Sequence, residues 1–359
     1  MRPVESPAES PVIELRDVGK TFSRPQPQHG RFAGLRTLLT RKTETTVAVD
    51  GISLDVARGE VVGYLGPNGA GKSTTIKMMT GILVPTSGEV RVNGVVPWRE
   101  RERNARQIGV VFGQRTQLWW DLPLRDSLDL VATMYRMAPA DYRRELARFT
   151  DLLQLGDFLG RPVRQLSLGQ RMRGDLAAAM IYRPAVLYLD EPTIGLDVVA
   201  KEVMREFIAD VNREHGTTVV LTTHDLADVE RLCPRVVLID HGRVLYDGDV
   251  EALKSRYAPH RGLVVRLAEG EPPLVDADLA GLGAELAPDA LGVRDEPGAQ
   301  LVRFPTGRVA ASDLIAGLAQ RRRLADVSLR EPDLEGVVRE LYRGHGEQVA
   351  ATPLAAGDA

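Results

Sequence analysis

The chain is 359 residues long, more than one typical domain holds, and its length suggests two. A net charge of −3 with 26% charged residues argues against a nucleic-acid partner, since those proteins carry a strongly basic face. One cysteine, Cys233, excludes a disulfide framework and fits a reducing compartment, and no run of 18 apolar residues offers a membrane span.

Met1 to Pro11 is Pro-rich and acidic, which predicts a disordered tail rather than a signal sequence. Val12 to Val18 partly alternates and predicts a half-exposed strand ending near Thr21-Phe22. Residues 24–46 read as an insertion with a short basic amphipathic segment, its apolar positions Phe32, Leu35, Leu38 and Leu39 sharing a helical face. That face suits either packing on the domain or contact with a membrane surface or membrane partner. Val47 to Val56 predicts a strand pair, Val61 to Leu65 a buried strand, and Ser73 to Thr80 a helix. Asn93-Gly94 within Val90 to Val95 is a hairpin signal. Ile108 to Phe112 is a short apolar strand running into Gln114, and about 115–180 reads as a helical insert.

Ala185 to Leu189 is apolar throughout, which suits a central parallel strand buried on both faces. Helices are expected over Lys201 to Glu214 and Leu226 to Leu232, with a strand over Thr217 to Thr222 between them. A closing hairpin turns at His241-Gly242. Beyond Tyr257 the texture changes. Strands at Leu263–Leu267, Ala290–Val293, Gln300–Phe304 and Ala325–Leu329, with helices near Val275–Leu282, Ala310–Ala319 and Leu334–Tyr342, suggest a small β-α-β-β-α-β domain over 258–343. Residues 344–359 are expected to be disordered.

Chemistry concentrates at strand ends, where an open α/β sheet places its ligand. Gly66-Pro67-Asn68-Gly69-Ala70-Gly71-Lys72-Ser73-Thr74 fits G-x-x-x-x-G-K-[ST] between a strand and a helix, the phosphate-binding loop. Glycines let backbone N–H groups turn inward, Lys72 reaches the β- and γ-phosphates, and the Ser73 hydroxyl suits Mg²⁺. Asp190 closes an apolar strand opposite Ser73 and suits the same metal; Glu191 follows and can take a proton from water. Gln114 and His224 end other strands at this edge, where either could orient water or touch the γ-phosphate. Ser167 and Gln170 have the spacing of a capping box, so Ser167 is expected to start a helix whose free N–H groups form a second anion-binding end, or simply to cap it.

GPNGAGKST, Gln114, LSLGQ (166–170), LYLDEP (187–192), GLD (195–197) and His224 stand in the order and approximate spacing of an ATP-binding cassette (ABC) ATPase, which Val12 to Tyr257 resembles. The resemblance implies an α/β P-loop NTPase cassette of mixed sheet core, antiparallel β subdomain and inserted helical subdomain, to which the pattern beyond Tyr257 adds the small α+β accessory domain. It implies head-to-tail dimers with a second copy that sandwich ATP and Mg²⁺. Phe22 would stack on adenine, Lys72 and Ser73 with their loop would bind phosphates and metal, Asp190 would support the metal, and Gln114 would reach both metal and water. Glu191 would be the general base, His224 the switch histidine, Ser167 and Gly169 with Gln170 the contact to γ-phosphate across the dimer, and Asp197 the link between sites. Two departures stand out: Leu168 where the family has glycine, and Phe22 where it has tyrosine. With no membrane segment of its own, the chain would need separate permease subunits and would sit peripherally at the cytoplasmic face of the membrane. Adjacent Trp119 and Trp120 suit an interface anchor or core packing. The phosphate loop through Gly88, FGQRTQLWWDLP and LSLGQ are similar to bacterial drug-efflux ATPases, which favours export over import. The single phosphate loop and lack of sustained heptads disfavour ribosome- or DNA-acting members.

Overall fold

The computed structural model describes residues 10–25, 43–113, 115–257, 260–287, 298–305, 308–330, 334–339 and 341–342. Val61–Leu65 (β3) is buried along its whole length, and so are Thr218–Thr222 (β7) and most of Val186–Asp190 (β6). Such uniformly apolar strands belong in the middle of a parallel sheet with both faces covered. They lie in one six-stranded sheet of order β5-β6-β7-β3-β8-β9, where β5 is Ile108–Phe112, β8 Arg235–Asp240 and β9 Arg243–Asp249. Neighbours from β5 to β8 are parallel, so the ends of β3, β5, β6 and β7 come out at one edge. The turn into β9 uses His241 at φ 45° and Gly242 at φ 78°, the left-handed pair a two-residue hairpin needs.

A second sheet of order β2-β1-β4 is antiparallel, with β1 Ile13–Pro25, β2 Thr43–Val56 and β4 Ser87–Val92. Two expectations change here. Val47 to Val56 is not a strand pair but part of one 14-residue strand. Asp50-Gly51 reads as a turn, yet Gly51 at φ 71° is absorbed where the β1–β2 register shifts, so the ribbon bends and continues. The expected insertion over 24–46 also shrinks from both ends, because the ladder runs on to pair Arg24 with Glu44 and Pro25 with Thr43. The amphipathic face at Phe32 to Leu39 lies outside the described residues. The Asn93-Gly94 turn forms with both φ positive, but only the single bridge Val92–Val95 follows it, and Pro97 has no N–H to extend a ladder.

Between β5 and β6 lie helices Leu124–Met134, Pro139–Leu152 and Leu168–Met180, the helical insert. Phe149 from the second meets Phe207 edge-on at 5.3 Å, tying the insert to the long helix Val198–His215. That helix begins three residues before the expected Lys201 because Asp197 caps it, its carboxylate accepting from Ala200 N at 2.7 Å.

The chain divides into two units between Gly248 and Asp249, ahead of the expected boundary at Tyr257, since helix Val250–Tyr257 starts directly after β9 and counts with the second unit. In that unit β10 (His260–Leu267), β11 (Glu285–Leu286), β12 (Ala299–Pro305) and β13 (Leu324–Arg330) form an antiparallel sheet of order β11-β12-β10-β13, with helices Asp276–Leu279 and Ala311–Arg321 in the crossovers. This is the β-α-β-β-α-β arrangement, its core built on Leu263, Val265, Val302, Phe304, Leu314 and Leu318. The strand read at Ala290–Val293 lies outside the described residues; the second strand found is Glu285–Leu286.

Candidate active site

β3 delivers the chain into the phosphate loop, and the loop's shape requires glycine at two places. A methyl at Gly66 would lie 2.5 Å from Ile239 O, and one at Gly71, whose φ is 106°, 2.5 Å from Ala48 O. Ala70 O accepts from Gly242 N at 3.0 Å, which pins the loop to the β8–β9 turn. Pro67, Asn68 and Gly69 form the exposed rim, while Gly71 and Lys72 lie buried beneath it. Helix Lys72–Met79 starts at Gly71 with no side-chain cap, so its first N–H groups are left for an anion, with Ser73 and Thr74 in the opening turn.

Lys72 Nζ donates to Gly66 O at 2.5 Å and Pro67 O at 3.2 Å. Burial pushes its pKa down against the pull of Glu191 and Asp190. Ser73 Oγ lies 3.1 Å from Asp190 Oδ2, and Thr222 Oγ1 donates to Asp190 Oδ1 at 2.6 Å. A hydroxyl and a carboxylate are hard oxygen donors of the kind Mg²⁺ takes alongside substrate phosphates, so the residues present fit that ion. Among the described residues no cluster of three or more His, Cys, Asp or Glu makes a metal site by itself.

Glu191 sits one residue past the β6 end at φ 56°, a left-handed conformation costly for a residue with a Cβ. Its N–H donates to Thr222 O at 2.9 Å, and a methyl at Gly113 would lie 2.1 Å from Glu191 O, so only glycine fits there. The Oε2 atom accepts from His224 N at 3.2 Å. Oε1 is buried, 3.0 Å from His224 Nε2 but without hydrogen-bond alignment, and so keeps an unused acceptor. Burial raises the Glu191 pKa; His224 and Lys72 pull it back, and Asp190 raises it further.

The structure thus brings Lys72, Ser73, Asp190, Glu191 and His224 to one edge. Gln114 lies outside the described residues. Phe22 stands on β1 opposite Thr46, two residues along β2 from Ala48, or about 7 Å at the usual strand rise. Lys20 Nζ lies 5.3 Å from its ring centroid, so that face already carries a cation. Ser167, Gly169 and Gln170 are elsewhere, with no hydrogen bond or ion pair to the phosphate loop among the described residues. Ser167 Oγ accepts from Gln170 N at 3.2 Å and Gln170 Oε1 accepts from Ser167 N at 3.0 Å, the expected capping box on helix Leu168–Met180. This helix start packs against Leu196 and Ala200, beside the Asp197 cap. Two contributors escaped the sequence reading. Thr222 holds Asp190, a role set by the β6–β7 register that pairs these two residues. Asp175, buried on helix Leu168–Met180, accepts from Thr116 Oγ1 at 2.9 Å and Gln117 N at 3.0 Å and so fixes the segment just after position 114.

The family model described as ABC transporter matches residues 49–194. The chain is 36% identical over 300 residues to the daunorubicin resistance ATP-binding protein DrrA3 of Streptomyces coeruleorubidus, covering 82% of this chain and 90% of that one. It is 32% identical to the ABC transporter ATP-binding protein NatA of Bacillus subtilis, over 59% of this chain and 86% of NatA. Similarity also extends to a methionine import ATP-binding protein, MetN of Latilactobacillus sakei, at 34% identity over 67% and 66% of the two chains. Among solved structures, an ATP-binding subunit of an ABC transporter superposes with TM-score 0.57 at 26% identity, covering 68% of this chain and 93% of that one. The dimeric post-hydrolysis cassette MJ0796 bound to ADP and Pi does so with TM-score 0.54 at 26% identity, over 66% and 98%. With the phosphate loop, the Asp190–Glu191 strand end and the Ser167 cap set on this fold, the chain belongs to the ATP-binding proteins of ABC transporters and is an ATPase.

Proposed function

We propose that the site hydrolyses ATP as one half of a composite centre and that the protein thereby powers export through separate permease subunits. The observation that carries the catalytic reading is the Glu191 carboxylate held beside His224 and one residue from Asp190, with its buried Oε1 in no aligned hydrogen bond. Lys72 and the loop from Gly66 to Thr74 bind the phosphates, Phe22 offers a ring face to adenine, and Ser73 and Asp190 hold Mg²⁺, with Gln114 added by its place in the sequence. Bound by these residues, the metal would supply neutralisation of the phosphate charge. Glu191 takes the proton of the attacking water, and His224 orients the Glu191 carboxylate and senses the γ-phosphate. Lys72 exchanges its two loop carbonyls for phosphate oxygens. Ser167, Gly169 and Gln170 of a second copy close the site from the far side, and Asp197 links the two centres.

Similarity to daunorubicin resistance ATP-binding proteins over most of the chain supports export, and similarity to MetN keeps import as the second reading. No helix among the described residues is long and apolar enough to cross a membrane, which fits a peripheral subunit at the cytoplasmic face. The test is ATP-driven transport in inside-out vesicles containing the permease that co-purifies with this chain. Accumulation inside them supports export, whereas ATP-dependent loss of preloaded cargo from them supports import.

A further inference from the structure

Two helix starts that lie 30 residues apart in sequence are interlocked through one side chain. Leu168 follows the Ser167 cap, and Gly195 precedes the Asp197 cap by two residues at φ 71°. A methyl on Gly195 would lie 2.9 Å from Leu168 Cδ2, so Leu168 fills the space that the missing side chain leaves. A methyl on Gly169 would reach Ala200 Cβ at 3.3 Å, which seats the same turn against the first turn of helix Val198–His215. Gly195 belongs to a short loop that begins at Glu191, with Ile194 N donating to Glu191 O at 3.4 Å and Leu196 N to Thr193 O at 3.2 Å. Thr193, itself buried, has its hydroxyl 3.4 Å from that of Thr223, next to His224. Leu168 is 36% exposed, so it contributes little burial to the core, and its contact with Gly195 is the specific feature of its place.

We infer that Leu168 is a positioning residue for ATP hydrolysis: through Gly195 it sets the loop that carries Glu191, and so ties the Ser167 cap to the catalytic base within one subunit. The inference rests on the proposed roles of Glu191 and Ser167. In that arrangement the cap meets the nucleotide held by the second copy, while Glu191 acts on the nucleotide held by its own chain. Leu168 therefore links the two centres mechanically, and a shorter side chain should loosen catalysis and cooperativity without weakening nucleotide binding.

The test is steady-state ATPase measurement on the full chain with four variants: Leu168→Ala, Leu168→Met, Gly195→Ala, and Leu168→Ala combined with Gly195→Ala. Expected are a loss in kcat of about fivefold for Leu168→Ala, the size of coupling seen between contacting residues, a Hill coefficient for ATP nearer one, and an unchanged KM. Leu168→Met, which can refill the space, should restore both. Gly195→Ala should cost more in the wild type than beside Leu168→Ala, since backbone strain is common to both backgrounds and only the methyl–Leu168 clash differs. Wild-type kcat and cooperativity in Leu168→Ala, or equal costs of Gly195→Ala in the two backgrounds, overturn the inference. Wild-type hydrolysis by Glu191→Gln would instead remove the base assignment while leaving the 168–195 coupling to be judged by the paired variants.

Discussion

His224 meets the Glu191 carboxylate twice, with its backbone N–H at 3.2 Å from Oε2 and its ring Nε2 at 3.0 Å from Oε1. Only the first contact is an aligned hydrogen bond; Oε1 is buried beside the His224 ring. A carboxylate fixed by one aligned hydrogen bond, with its second oxygen uncommitted to any donor of matching geometry, suits a group that must accept a proton from water. Glu191→Gln keeps the shape and removes the basicity, and the turnover number should fall by about 10²- to 10⁴-fold, the usual contribution of a general base. The isosteric change should leave binding intact, so the variant should accumulate as an ATP-loaded dimer, seen by size-exclusion chromatography with Mg²⁺ and ATP.

The pH dependence follows from the same pair. Burial raises the Glu191 pKa, and among the groups that pull it back His224 contributes most. As the proposed base, Glu191 works ionised, so kcat should fall as pH drops through this raised value, and the acid limb should lie higher than an ordinary glutamate would place it. His224→Ala removes the strongest counterweight and should move the limb to higher pH. A limb that stays in place while kcat drops would show that His224 acts on something other than the Glu191 proton.

Thr222 should matter to the metal more than to the chemistry. Its hydroxyl holds Asp190 Oδ1 at 2.6 Å while Ser73 lies near Oδ2, so two partners aim one carboxylate. Thr222→Val removes one of them; a hydrogen bond to a charged group contributes about 1.5–3 kcal/mol, so the Mg²⁺ concentration for half-maximal activity should rise at least about tenfold. Saturating Mg²⁺ should restore most of kcat.

How much of this site could be read beforehand depended on whether a signal was local. The Ser167–Gln170 spacing is four residues long and its capping box is present; the phosphate loop likewise carries its own glycine requirement at Gly66 and Gly71. Thr222 could not be found that way, because its role exists only through the strand register that sets it beside Asp190, 32 residues away. The β2 misreading has the same root. Asp50-Gly51 is locally a turn signal, and the partner strand turned it into a bulge. In the second unit the alternation of strands and helices was legible, while the sheet order depended on pairings that no single segment contains.

Trp119 and Trp120 are exposed by 38% and 49%, and the Arg171 guanidinium lies 5.5 Å from the Trp120 ring centroid. Two partly exposed tryptophans and an arginine are the residue types that dominate binding hot spots, so this surface fits the permease contact. Trp120→Ala should weaken co-purification with the permease while leaving the ATPase activity of the isolated chain near wild type. Unchanged co-purification would move the contact elsewhere.

Asp175 gives a prediction about stability. Burial pushes its carboxyl up to about 6, against the hydrogen bonds from Gln117 N and Thr116 Oγ1 and the pull of Arg171. An acid whose folded pKa lies above its unfolded value favours the folded state when protonated, and that advantage is lost as pH rises from the unfolded value near 3.8 through about 6. Above that window the wild type bears a buried charge costing on the order of 3 kcal/mol at most, taking about 1.4 kcal/mol per pKa unit. Asp175→Asn keeps an oxygen for both donors and removes the charge. Its Tm should therefore exceed that of the wild type at pH 8, with the two curves converging below pH 4. Since Asp175 also holds the segment after position 114, the neutral variant should retain ATPase activity if the hydrogen bonds, rather than the charge, fix that segment. A Tm difference that does not change between pH 4 and pH 8 would mean that Asp175 folds with its charge well solvated.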